Sequence, residues 1–171
     1  MFLAMLFFLI NSAHPMVMVS IPAGVIVNES KAIVHGAVQS SSCERISGII
    51  YTDYTFKISD TGYIKANIIS SDTVNIKVLG GKIGRESMDM PGFPYLTVGG
   101  EYVLFLEKRG NDYDIYGANQ GCMRVVPDPA GNKNVIPCES EYYNMIYVDQ
   151  SVSGAVRLDS FIKKVQGYQK N

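Results

Sequence analysis

Tryptophan is absent from this chain, and histidine is nearly so: only His14 and His35 occur in 171 residues. With His14 in the N-terminal apolar region, any Ser/His or Cys/His mechanism falls to His35 alone. Charge is scarce as well. Only 18 % of residues are Asp, Glu, Lys or Arg and the formal net charge is -1, so there is no basic footprint for nucleic acid and no acidic tail. The cysteines lack the close paired spacing of a zinc site. Gly80-Gly81-Lys82-Ile83-Gly84-Arg85 lacks the Gly-Lys-Ser/Thr ending of a phosphate loop, so turn chemistry is its better account. Asp53, Glu101 and Glu107 fall in no short run with Ca²⁺-loop spacing, and read as solvated or turn-capping carboxylates. No cofactor or metal is implied.

What is plentiful is apolar residue, 47 % of the chain, enough for one well-buried core and too little chain for two domains. Met1–Ile10 is an apolar run followed by Asn11, Ser12 and Ala13, and no Asp, Glu, Lys or Arg precedes Glu29. At roughly ten residues the run suits a secretory leader and is short of the about 20 needed for a membrane span. The missing Lys or Arg ahead of it departs from the usual leader pattern. Ala13 and Ala23 are the candidate junctions, neither with an ideal small residue three positions earlier. The expected organisation is a leader over residues 1–23 and one domain over 24–171, exported to the periplasm or secreted, with no membrane span in the mature chain. An ordinary N-terminal strand or an uncleaved anchor is the alternative.

Cys122 and Cys138 flank Pro127-Asp-Pro-Ala-Gly-Asn-Lys-Asn134, a dense cluster of turn formers. A hairpin tip there sets the two cysteines opposite each other, predicting a disulfide whose loop of about 15 residues stabilises by roughly 3 kcal/mol. Cys43 is left over as a free thiol, an intermolecular link or the true partner of one of the others.

The clearest alternation runs from Ile50 to Ile58, with Ile50, Thr52, Tyr54, Phe56 and Ile58 on one face and Tyr51, Asp53, Thr55 and Lys57 on the other. Val74, Ile76 and Val78 alternate likewise. Lys31–Val38 is a strand candidate with a bend or bulge at Gly36. Thr97–Leu106 holds five consecutive apolar or aromatic residues, Tyr102 to Leu106, and suits a central strand covered on both faces. Residues 60–72 fit a helical turn or a short strand, and Glu141–Val148 an edge strand or a packed loop. Leu158, Phe161, Ile162 and Val165 stand at i, i+3, i+4 and i+7, which predicts a C-terminal helix over 157–166 stopped at Gly167. The fold expected is mainly β: a small OB-like closed or partly open barrel with a C-terminal α-helix, with a β-sandwich as the alternative.

Ile33-Val-His-Gly-Ala-Val38, Ile50-Tyr-Thr-Asp-Tyr-Thr-Phe-Lys-Ile58, Val78-Leu-Gly-Gly-Lys-Ile-Gly84, Gly92-Phe-Pro-Tyr95, Gly100-Glu-Tyr-Val-Leu-Phe-Leu106 and Asn119-Gln-Gly121 follow in an order that resembles a family of uncharacterised exported bacterial β-barrel domains. That family is distantly similar to the netrin-like barrels of tissue inhibitors of metalloproteinases. The resemblance covers roughly residues 31–126 and implies a barrel and, more remotely, protease inhibition. A netrin-like inhibitor acts through an N-terminal cysteine that has no counterpart here, so no functional residue is carried over.

Function is expected in a non-enzymatic binding or interaction module with a protein partner. The long connection Lys82–Pro94 and the adjoining Tyr95 offer Met88, Met90, Phe93 and Tyr95 as an adaptable apolar surface. The alternative is a hydrolase or thiol enzyme with Cys43 or Ser42 as nucleophile and His35 as base, for which no third orienting group is visible in the sequence.

Overall fold

A two-residue turn starts the architecture. Ser47 and Gly48 both take positive φ, 50° and 86°, the geometry whose twist matches a tight hairpin. It joins β1, Ala32–Ile46, to β2, Ile49–Lys65, which pair antiparallel from Ile46↔Ile49 back to Ile33↔Lys65. The computed structural model describes residues 19–66, 68–138 and 155–169. The Ile50–Ile58 alternation lies within β2 as expected, with all five residues of its inner face buried. The ambiguous residues 60–65 continue the strand after an irregularity. Val34 pairs with Tyr63 and Gly36 with Ile58, so Ser59–Gly62 bulges out opposite His35. Gly36 is required there, because a Cβ would overlap the Lys57 carbonyl oxygen.

β3, Thr73–Leu79, lies against β2, and the small hairpin of β4, Gly81–Ile83, and β5, Glu86–Met88, follows. The central strand β6, Glu101–Arg109, turns into β7, Asp112–Ile115. β6 also pairs with β1 from Ala32↔Leu106 to Ala37↔Glu101, and β7 meets β3 in parallel at Ile76↔Tyr113. The sequence β1-β2-β3-β7-β6 thus closes on β1 as a ring of five strands, an OB-like barrel. β6 therefore borders β1 rather than β2 or β3.

The sheet does not end at the ring. β8, Cys122–Pro127, takes the first half of β6, then comes β9, Lys133–Pro137, and then β10, Val156–Arg157, which leads into α2, Leu158–Tyr168. Residues 139–140 and the expected segment Glu141–Val148 lie outside the described residues. α2 runs through Gly167, past the expected stop, and its Tyr168 ring lies against Gly24 of the N-terminal helix α1, Ala23–Glu29.

Tyr102, Leu104 and Leu106 point into the barrel with Val34, Phe56 and Ile76. Val103 and Phe105 point the other way, into a second core with Ile33, Val125, Val135, Phe161 and Val165. Phe105 meets Phe161 edge-on, centroids 6.5 Å apart. Five apolar residues in a row are thus the signature of a barrel wall with a second layer packed on its outside.

Candidate functional site

One end of the barrel carries the residues expected to bind. Gly80 N–H donates to the Ile50 carbonyl at 2.8 Å, which fastens the β4–β5 hairpin beside the tip of the β1–β2 hairpin, and Arg45 pairs with Glu86 across the same junction. Gly81, at φ 139°, has no room for a Cβ against Thr52 Oγ1 and Cys43 Sγ. The Tyr95 hydroxyl reaches back to the Met88 carbonyl at 3.1 Å and to Asp89 Oδ1 at 3.0 Å. Burial, then the hydrogen bond to Asp89, pushes that phenol up to about 12. Tyr95 remains 51 % exposed, and Ile46 and Ile49 at the hairpin tip are also exposed. Met88 and Met90 are half-buried. Phe93 differs in kind: it packs against the barrel interior together with the buried Leu96, so it closes the barrel rather than facing outward. The structure brings Met88, Met90 and Tyr95 to one end and gives Phe93 to the core.

A second cluster was not legible in the chain. His35 faces outward from β1 and is 6 % exposed. Its Nε2 lies 2.6 Å from Glu101 Oε1 on β6, and its Nδ1 3.1 Å from Ser59 Oγ in the β2 bulge. Lys133 Nζ from β9 reaches the same Glu101 oxygen at 2.6 Å. Ser59, His35, Glu101 and Lys133 therefore form one polar line across β2, β1, β6 and β9. Burial raises the Glu101 carboxyl, but the hydrogen bonds from Lys133 and His35 outweigh it, and the group ends below its ordinary value. Glu101 is thus a partnered carboxylate, not the solvated one its sequence position suggested.

Cys43 does not join this line. It stands eight positions along β1 from His35, roughly 26 Å at about 3.3 Å per residue, with its Sγ 3.4 Å from Thr52 Oγ1. The structure does not pair Cys43 or Ser42 with His35, whereas a carboxylate able to orient the imidazole is present as Glu101. Cys122 and Cys138 are bonded as expected, with Cα atoms 5.5 Å apart and the Cys138 N–H donating to the Cys122 carbonyl at 3.0 Å; Cys43 is the free thiol.

On the outer wall Lys77 pairs with Glu44 and, at 2.9 Å, with Asp53, and the bond to Glu44 leads in raising its ammonium above the usual lysine range. A cleft of about 470 Å³ is lined by Asn28, Tyr63–Ala66 and Gln169, none of them a member of either cluster, and the Lys65 ammonium in it is spent on the Val27 and Asn28 carbonyls at 2.9 and 2.8 Å. Among the described residues no group of His, Cys, Asp and Glu is placed to hold a metal ion, and no helix is long and apolar enough to cross a membrane. Set beside protein-family models, curated proteins and solved structures, the chain matches none of them.

Proposed function

We propose that the protein is an exported, non-enzymatic binding module that takes a protein partner at the barrel end formed by Tyr95, Met88, Met90 and the Ile46–Ile49 hairpin tip. The observation that carries this reading is the exposure of Tyr95, Ile46 and Ile49, large side chains held outward at one end by hydrogen-bonded backbone. Tyrosine and methionine beside aliphatic side chains are the composition of contact surfaces, and water gains when such a patch is covered. Quantitative pull-downs from periplasmic or secreted extract, with the native chain and with Met88, Met90 and Tyr95 changed to Ser, test it. Partners enriched by the native chain are expected to be lost from the variant at unchanged thermal midpoint; identical profiles would remove this end from the function.

The Ser59–His35–Glu101 line favours one second reading, acyl transfer with Ser59 in the role earlier given to Cys43. Ser59 Oγ adds to an ester carbonyl, its proton passes to His35 Nδ1 and on to the leaving alcohol, and water then releases the acyl group. One feature weighs against it: the Ser59 hydroxyl lies 3.1 Å from the His35 carbonyl, which competes for its proton. A fluorophosphonate probe decides. Labelling abolished by Ser59→Ala and by His35→Ala would establish the enzyme, and no labelling of the native chain would end it.

A further inference from the structure

Asn119-Gln120-Gly121 is a motif that neither reading uses. It forms the single 3-10 turn Ala118–Gly121, entered through Gly117 at φ 69° and closed by Gly121, where a Cβ would overlap the Tyr116 carbonyl oxygen. On this rigid turn the Gln120 amide grips one stretch of main chain with both of its ends. Its Oε1 accepts from the Ile21 N–H at 2.8 Å and its Nε2 donates to the Val19 carbonyl at 3.0 Å, as a neighbouring strand would.

The gripped segment feeds the second core. Ile21 packs against that core, and its Cδ1 lies 3.0 Å from where a Cβ at Gly117 would stand. The Pro22 carbonyl accepts from the Val25 and Ile26 N–H groups at 2.9 and 3.1 Å, which starts α1, and Ile26 and Val27 of that helix are buried. Cutting after Ala23 would remove the Ile21 contacts, both Gln120 bonds and the first carbonyl of α1 together. We infer that Val19–Pro22 is an integral part of the folded mature domain, and that the leader is cut upstream of Val19 rather than at Ala23. The cut is hydrolysis of a peptide bond upstream of Val19 by a leader peptidase, with water as co-reactant. The position of the cut rests on the export reading; the grip of Gln120 does not.

Two measurements test this. The intact mass of protein recovered from the export compartment is expected to give a first residue between His14 and Val19, and any first residue beyond Val19 would overturn the inference. A mass that still includes Met1 would contradict leader cleavage instead, and the second measurement then decides. In the full chain, Gln120→Ala is expected to speed amide hydrogen exchange at Ile21 by about tenfold or more. Unchanged exchange at Ile21 would overturn the inference. Should Gln120→Ala fail to fold, Gln120→Met keeps the length of the side chain and loses both amide ends, and is expected to speed that exchange likewise, again overturned by no change.

Discussion

Glu101 shows how much a single side chain can hold in this protein, since its Oε1 joins β1 through His35 and β9 through Lys133. Glu101→Gln is expected to cost about 1.5–3 kcal/mol, the range for hydrogen bonds to a charged group, read from denaturant midpoints. The sign with pH follows from the lowered carboxyl. A folded-state value below the unfolded one of about 4.3 stabilises above that pH, and the stabilisation fades as pH falls through the folded value. The thermal midpoints of native chain and variant, well apart at pH 6, are therefore expected to converge as pH falls through the lowered carboxyl value; a constant gap would contradict the assignment. Gly36→Ala places a methyl group on the Lys57 carbonyl and is expected to cost about 1–3 kcal/mol or more by forcing β1 from β2. The glycine could be read in advance as a bend. The polar line could not, because Ser59, His35 and Glu101 are brought together only by the order of strands, whereas the Ser42 and Cys43 nearer to His35 along the chain lie on its own strand.

At the scale of elements, the strands with one covered face announced themselves. Ile50–Ile58 and Val74–Val78 alternate because one face meets the barrel interior and the other meets water. β6 was legible for the opposite reason, being covered on both faces. Helix α1 was not: Val25, Ile26 and Val27 continue the apolar character of the N-terminus and merge with a leader pattern, although the structure buries Ile26 and Val27 against the second core. β4 and β5 were hidden inside the long connection because three-residue strands are too short to show a period. Phe161→Ala on α2 tests the docking of the helix, and a loss of about 3–5 kcal/mol in chemical unfolding is expected for an aromatic buried against Phe105. Reducing Cys122–Cys138, which spans 16 residues, is expected to cost about 3 kcal/mol in the chain-entropy model, seen as a lower denaturant midpoint with reductant present.

The whole molecule is a five-stranded barrel whose wall β1–β6 carries a second layer of β8, β9, α1 and α2 on its outside. That layer occupies the face where His35 and Glu101 lie, and leaves the far end of the long β1–β2 hairpin beyond it. Past Ala37 β1 loses β6 as a partner, and from Ser40 to Ile46 it pairs with β2 alone. The tip therefore stands proud of the core, and Tyr95, Met88 and Met90 gather beside it. Such a division gives one side of the molecule to packing and leaves the proposed contact surface at one end. A photo-crosslinking side chain placed at Tyr95 or Ile49 tests this most directly, compared with one at the exposed Lys163 on α2. Irradiation in the export compartment is expected to give a discrete adduct from positions 95 and 49 and none from 163; the same adduct from all three positions, or none from 95 and 49, would contradict the placement of the binding surface.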